Sequence, residues 1–588
     1  MCGIFGVIGS SDKFNMKDLL LLLKHRGPDE QEIYQNNQIA FGHTRLSIIA
    51  QDEGTQPIVD DEGNVLVFNG EIYNFKELAK KYLNKNYCSD SLVLFDLLKK
   101  FQIKILSELR GMFVFAFYQK VTKTTFLARD AFGMKPLFYS KSKNSFYFCS
   151  EYLALQKMTS TNLSKSAFYD YLQLSCTVGK ETLDSNIKQL LPAEVLIIKE
   201  KIIESKSYLS LEDLLELKQK KGFTNEFDKT CKRHLIADVD VGLMLSGGMD
   251  STSIALSLKN SGIKNLDCYS LSFSDVEFDE SVQAKKIADY LGYNHIKVSF
   301  PQDNFIDYLE EALDKLDGPF GDSSFIPTYF LCKEISKTKK VVLSGDGGDE
   351  IFFGYPTFMA SRVQDLLPKI VQKLIAYMYE DSKIDSYTRV NFSEKLQRFS
   401  WGMDKSGILR HLAYMNSISP KLFNGNFLKT GKKLIDFSQN SNQECFYYFR
   451  QYLSQQILIK TDRASMANSL EIRCPFLDVD FVKNTFFYPS KTSLIFQKSK
   501  APIRDYLKNN LPKSLLNFQK KGFSAPLYKI LPSLKALVER KHQLNLNCTR
   551  EKLFQHRFFS YNLLVYLYFY PSDEALKVFH ERISLNCE

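Results

Sequence analysis

The sequence predicts two domains of different class: an N-terminal α+β domain rich in short strands, then a doubly wound parallel α/β domain with a helical C-terminal part. Three observations carry this. The chain has 588 residues, more than one hydrophobic core organises. Short β-rich runs, among them Val65–Asn69 and Met112–Tyr118, fill the N-terminal third. From about Phe223 onward, apolar strand-like runs alternate with segments of helical spacing. The expected boundaries are 2–205 for the first domain, 206–222 for a linker and 223–588 for the second. The stretch from Lys199 to about Gly222 is charged and leucine-rich, as a connection between domains would be.

Composition narrows the function class. The chain is 44% hydrophobic and 24% charged, an ordinary globular balance. Its net charge of +10 is spread along the chain rather than massed in a tail, which disfavours a nucleic-acid partner and suits small anions such as ATP. Eleven scattered cysteines without a CxxC pair make neither a disulfide framework nor a zinc site, so a reducing cytoplasm is expected. Met1-Cys2-Gly3-Ile4-Phe5-Gly6 has no basic n-region and no cleavage site, so no signal peptide is expected. The apolar run Phe558–Tyr570 is broken by Ser560 and Asn562 and is too short to span a bilayer; it reads as a buried helix, with no membrane partner.

Taken in order, the first element with chemistry is Cys2. Removal of Met1 would leave a free α-amine with a pKa near about 7.7–8.0 beside a thiol near about 8.5, so one residue would carry both nucleophile and base. It has company: His25-Arg26-Gly27-Pro28-Asp29, then Gly42-His43-Thr44-Arg45-Leu46-Ser47-Ile48, then Phe68-Asn69-Gly70-Glu71-Ile72-Tyr73-Asn74, then Ser89-Asp90, then Arg129-Asp130-Ala131-Phe132-Gly133-Met134-Lys135-Pro136-Leu137. This ordered set resembles the class II glutamine amidotransferase domain. The resemblance implies a four-layer αββα Ntn-hydrolase sandwich. It implies Cys2 as the nucleophile on the glutamine amide, with Asn69 (side chain) and Gly70 (backbone N–H) as the oxyanion hole. It also implies Arg45 as clamp on the glutamine carboxylate, and Glu71 and Asp90 as acceptors for its ammonium. Ala50 stands where that family often has Asp.

In the second domain, Val239–Met244 reads as a buried strand, Leu245-Ser246-Gly247-Gly248-Met249-Asp250-Ser251-Thr252 as a tight turn, and the residues after it as a helix. Glycines admit a close ligand and free N–H groups at the helix start face it, which makes an anion site. Asp250 fits if it holds a Mg²⁺ that phosphates share. The string SGGMDS resembles the pyrophosphate loop of ATP-pyrophosphatases. That resemblance implies cleavage between the α and β phosphates and an acyl-AMP product. Leu266–Phe273 reads as the next strand, and Leu245 and Phe273 are candidate nucleotide contacts. Val341-Val342-Leu343 runs into Ser344-Gly345-Asp346-Gly347-Gly348-Asp349-Glu350, whose crowded carboxylates call for cations.

Lys460-Thr461-Asp462-Arg463-Ala464-Ser465-Met466, Glu471-Ile472-Arg473-Cys474-Pro475-Phe476-Leu477-Asp478, Lys498-Ser499-Lys500 and Gln519-Lys520-Lys521-Gly522-Phe523 complete the series. Together with the earlier motifs, the order resembles glutamine-hydrolysing asparagine synthetase over nearly the whole chain. The resemblance implies that Ser344, Gly345 and Lys500 join the loop residues Ser246, Gly247, Gly248, Asp250 and Ser251 in binding ATP. Leu245 and Phe273 are candidate contacts by strand position, where plain core is nearly as good a reading. The resemblance also implies Mg²⁺ at Asp250 and Asp349, charge neutralisation by Lys500, and a part for Asp346 in forming and aminating an acyl-adenylate.

The function expected is amidation of L-aspartate to L-asparagine with glutamine nitrogen by a cytoplasmic homodimer. The ammonia would be channelled between Met112–Phe117 on one side and Arg463–Met466 on the other. Two departures bear on the acceptor: Asp346 replaces the usual Glu, and Phe353 replaces the usual Gly. They leave open the same chemistry on another carboxylate, a surface-sugar acid or a natural-product precursor. A catalytically dead binding subunit is the reading from another class, and the presence of Cys2, Asn69, Asp250, Asp349 and Lys500 counts against it.

Overall fold

The computed structural model describes the chain apart from residues 1, 10–14, 52, 201, 216–221, 274–278, 302–304, 380–391, 439–442, 487–498, 519–526, 548 and 584–588. Part of the predicted linker, Lys498 and the whole 519–523 motif therefore lie outside the described residues.

The N-terminal strands are β1 (Cys2–Gly9), β2 (Glu30–Gln35), β3 (Ile39–Arg45), β4 (Ile58–Val59), β5 (Val65–Ile72), β6 (Gly111–Gln119), β7 (Thr124–Arg129), β8 (Phe138–Lys141), β9 (Ser145–Cys149), β10 (Ile187–Gln189), β11 (Glu194–Lys199) and β12 (Ile202–Ser207). They form two antiparallel sheets, ordered β10-β8-β9-β1-β3-β2 and β12-β11-β7-β6-β5-β4. The sequence explains the layering. In β6, Val114, Ala116 and Tyr118 point between the sheets with Ile4, Phe41, Val65 and Val67. The alternate Phe113, Phe115 and Phe117 pack outward under helix Asp90–Phe101 with Leu94, Leu97 and Leu98. On the first sheet, Phe5 and Val7 meet Leu19, Leu20 and Leu23 of helix Met16–Leu23. Strands covered on both faces are apolar at every position, which is why these runs show no polar alternation. The result is the helix–sheet–sheet–helix sandwich.

The second sheet system is parallel throughout: β13 (Val241–Met244), β14 (Asp267–Ser272), β15 (Asn294–Ser299), β16 (Val341–Leu343) and β17 (Glu471–Arg473), in the order β15-β14-β13-β16-β17. The winding reverses between β13 and β16, so the two glycine loops that follow these strands meet at one switch point, where open α/β sheets bind ligands. The terminal apolar run is helix Arg557–Phe569, largely buried. The Asn562 that interrupts it is fully buried, and its amide donates to Leu172 O at 3.1 Å and to Ser175 Oγ at 3.0 Å in the first domain. No helix among the described residues is long and apolar enough to cross a membrane.

Candidate active site

At the N-terminal end, β1 and β5 bring Cys2 beside Asn69. The Cys2 backbone N–H donates to Asn69 Oδ1 at 3.0 Å. Asn69 is fully buried, and its Nδ2 has no hydrogen-bond partner among the described residues, which leaves a buried donor unused beside Cys2. Gly70 has φ 150°, and a Cβ there would lie 2.0 Å from Met112 O, so only glycine fits this turn of the strand. Burial pushes the Cys2 thiol up, and the Glu71 carboxylate adds to the rise while the Arg45 charge opposes it.

Arg45 is buried next to Cys2 in register. Its Nη1 donates to Glu30 Oε1 at 2.5 Å and Gln51 O at 3.0 Å, and its Nη2 to Ile49 O at 3.3 Å and Ala50 O at 2.7 Å. A bidentate grip on a carboxylate therefore means exchanging some of these carbonyls. Asp90 is the first residue of its helix, after the Ser89 N-cap, and its Oδ2 accepts from Ile72 N–H at 2.9 Å. Burial pushes its carboxyl up to about 6. Glu71 is pushed well above the carboxylate range, first by burial, then by the charges of Glu471 and Asp90. Arg473, 3.7 Å from Glu71, and the Ile72 N–H on Asp90 offset only part of this burial.

At the switch point, helix Met249–Asn260 presents Asp250 in its first turn. Ser246 and Ser251 join Oγ to Oγ at 3.1 Å, and Gly248 N–H donates to Ser246 Oγ at 3.2 Å. A cavity of about 220 Å³ opens beside this loop, lined by Ser246, Gly247, Asp279, Glu280, Gln283 and Asn517. The loop after β16 packs on it tightly: a Cβ at Gly348 would lie 2.7 Å from Asp250 Oδ1. The buried Lys500 bonds Asp250 and reaches Asp349 Oδ1 at 2.8 Å. Burial alone would lower that ammonium's pKa; the two carboxylates more than offset it and raise it. Among the described residues no three His, Cys, Asp or Glu side chains cluster for a metal. Two converging carboxylates are hard oxygen donors that suit Mg²⁺ if phosphate oxygens supply the rest.

Asp346 Oδ2 accepts from Ser344 Oγ and from Thr461 Oγ1, each at 3.0 Å. Ser344 N–H donates to Arg473 O at 2.8 Å. Leu245 is fully buried under the sheet, its N–H bonded to Tyr269 O at 2.8 Å, and the half-buried Phe273 packs on Phe300 with ring centres 5.1 Å apart.

The two ends face each other across a charged, buried contact that sequence reasoning left without a role. Asp130 accepts from four successive amides, Phe132, Gly133, Met134 and Lys135, at 2.7–3.1 Å, and the resulting turn delivers Lys135 inward. Lys135 Nζ meets Asp462 Oδ1 at 3.2 Å. Arg26 forks onto the same carboxylate at 2.9 and 3.2 Å, bonds Glu151 at 2.8 Å, and donates from Nε to Cys2 O at 3.2 Å. Nearby, Arg473 lies 3.7 Å from Glu71 and 2.5 Å from Glu471. The sequence carries no signal for this contact beyond the presence of these charges in motifs that already hold several others.

Comparison with known proteins gives the family. Residues 1–209 match the glutamine amidotransferase domain family, and residues 222–563, more than half the chain, match the asparagine synthase family. The chain belongs to the asparagine synthase family. It is 29% identical over 558 residues to asparagine synthetase [glutamine-hydrolyzing] 1 of Bacillus subtilis, covering 90% of this chain and 87% of that one. It is 28% identical to a putative asparagine synthetase of Mycobacterium bovis, covering 86% and 83%. It is 27% identical to asparagine synthetase B of Escherichia coli, covering 65% and 70%. A solved glutamine phosphoribosylpyrophosphate amidotransferase from B. subtilis covers half of this chain and 65% of its own, with a TM-score of 0.27 and 17% identity, too slight a likeness to argue from.

Both departures from the family pattern that concern backbone freedom fall at left-handed positions: Phe353 has φ 53° and Ala50 has φ 51°. Phe353 is nearly fully buried, with its ring 4.9 Å from Phe358 and 5.9 Å from Phe486. Phe353→Gly should relieve about 1–2 kcal/mol of left-handed strain and forfeit about 3–5 kcal/mol of aromatic packing. A lower denaturation midpoint is expected; a higher one would mean that strain dominates. For Asp90 the sign is equally definite. Its carboxyl must be ionised to accept an ammonium, and it protonates below about 6. Glutamine binding to the Cys2→Ala protein, followed by calorimetry, should weaken roughly tenfold per pH unit below that value. The Asp90→Asn variant should lack this limb, and an unchanged limb would remove Asp90 from the glutamine site.

Proposed function

We propose that the protein hydrolyses glutamine at Cys2 and uses the ammonia to amidate a carboxylate activated by ATP as an acyl-adenylate, with L-aspartate as acceptor and L-asparagine as product. The observation that carries this reading is the pairing, across one buried interface, of the Cys2–Asn69 contact with the Asp250–Lys500–Asp349 cluster.

At the first centre the Cys2 thiol attacks the amide carbon. Its proton goes to the α-amine that Met1 removal exposes, and Asn69 Oδ1 holds that nitrogen in place. Asn69 Nδ2 and Gly70 N–H stabilise the oxyanion, ammonia leaves, and water releases glutamate from the thioester. Burial raises the thiol, so the reaction depends on this local base. At the second centre Asp250 and Asp349 would hold Mg²⁺, which when bound neutralises the β and γ phosphates. Lys500 adds positive charge where pyrophosphate departs. The acceptor carboxylate attacks the α phosphorus, and ammonia then attacks the acyl carbon and expels AMP.

A second acceptor class is favoured by one specific observation. Asp346 is a methylene shorter than the usual Glu, and two hydroxyls hold its Oδ2, so a longer or bulkier carboxylate would find room in front of it. Purified protein with ATP, Mg²⁺ and glutamine, offered aspartate and other carboxylates in parallel, separates the two. AMP and pyrophosphate released with aspartate are expected; release only with another acid would move the acceptor, and ADP with phosphate would end the adenylate reading. Cys2→Ala should abolish synthesis from glutamine while ammonium chloride still supports it. Continued glutamine hydrolysis by that variant would exclude Cys2.

A further inference from the structure

Helix Leu458–Met466 carries two adjacent side chains with different partners. Thr461 reaches back to Asp346 on the synthetase loop. Asp462 crosses the domain boundary, accepts the Arg26 fork, and accepts from Lys135 as well. Arg26 does more than pair: its Nε holds the carbonyl of Cys2 itself. The backbone of Cys2 is thus gripped on both sides, the nitrogen by Asn69 and the carbonyl by Arg26. Arg26, Asp462 and Lys135 are all 2% exposed or less. A line of hydrogen bonds and one peptide link therefore runs from Asp346 through Thr461, Asp462 and Arg26 to the backbone carbonyl of Cys2.

We propose that Asp462 is a positioning residue for the nucleophile of the other domain: by fixing both Nη atoms of Arg26 it sets the carbonyl of Cys2, and with it the thiol. This rests on the function proposed above. The geometry explains why an acid belongs there. Glu151 binds only Nη1, so without Asp462 the guanidinium pivots and Nε leaves the Cys2 carbonyl. A fork on two nitrogens resists that rotation, whereas one bond does not. A misplacement of this size at a nucleophile is costly in rate and leaves remote substrate contacts intact. The side-chain bonds of Arg26 go to Cys2 O, Glu151 and Asp462, and among the described residues none goes to those expected to bind glutamine, Arg45, Glu71 and Asp90.

The test uses full-length enzyme and 6-diazo-5-oxo-L-norleucine, a glutamine analogue that alkylates the nucleophile. Asp462→Asn should label Cys2 at least tenfold more slowly at saturation, with a half-saturation concentration within twofold of wild type. Ammonia-dependent AMP release should stay within twofold. Because Asp462→Asn leaves two buried cations with one carboxylate between them, the double variant Lys135→Met/Asp462→Asn is run beside it. It removes the surplus charge and still lacks the fork, so it should melt close to wild type and label as slowly as the single variant. Labelling of the double variant at the wild-type rate would overturn the proposal. So would parallel loss of glutamine- and ammonia-driven synthesis in both variants, which would make Asp462 interface scaffolding only. Wild-type protein that labels at Cys2 but releases no AMP would sink the synthetase reading and leave this one standing.

Discussion

A buried carboxylate, Asp462, is the constraint that ties the Cys2 end of the first domain to the helix beside the Asp346 loop of the second. It neutralises Arg26 and Lys135 from the first domain while rooted in a helix of the second. Burial would raise its pKa, yet the two cations hold it below the usual range. Each ion taken from water costs several kcal/mol, and removing one partner of such a set strands the other at a cost of about 3–5 kcal/mol. Ion sets of this kind contribute little net stability; what they enforce is geometry. Two domains that satisfy these charges meet in one register, and in that register Cys2 and Asp346 lie at the ends of a continuous bonded line. A small cavity at the interface is lined by Met134 and Lys135 of the first domain and by Thr461, Asp462, Ser465 and Cys474 of the second, so Lys135 and Asp462 border it.

Much of the fold was legible. The strand at Val239–Met244 is present as Val241–Met244, and that at Leu266–Phe273 as Asp267–Ser272. Periodicity finds such elements because burial writes it. The order of the parallel strands was not legible, since pairing partners leave no mark on local sequence. It is the order that brings Asp250 and Asp349 together, from loops nearly a hundred residues apart. The terminal helix was legible despite its polar interruptions, and the structure gives the interruption at Asn562 a reason: its amide ties that helix to the first domain.

Site residues divide in the same way. Those that act on a ligand sit in motifs whose chemistry can be argued residue by residue, as for Cys2 with Asn69. Those that act on other side chains, Arg26, Lys135, Asp462 and Arg473, have no task legible in the sequence, because a charge among other charges says only that some partner exists. The partner is supplied by tertiary structure. Phe353 and Ala50 show a complementary case. The sequence marked both as departures, and only the backbone reveals that each occupies a left-handed conformation costly for its side chain. At Phe353 aromatic packing is the compensation; Ala50 is held by its N–H to Asp238 at 2.8 Å and by Arg45 at its carbonyl.

The central claim is that the two centres work as one enclosed unit, with nitrogen passing from Cys2 to the Asp346 loop through the interface that Asp462 organises. Ammonia released to water is protonated at neutral pH and lost as a nucleophile, so enclosure has a chemical purpose. The most direct measurement supplies ¹⁵N-amide glutamine together with excess unlabelled ammonium and reads the isotope in the amide product by mass spectrometry. The account predicts label retained well above the bulk ratio. Dilution to the bulk ratio would show that ammonia escapes into solvent between the two reactions, and would contradict it.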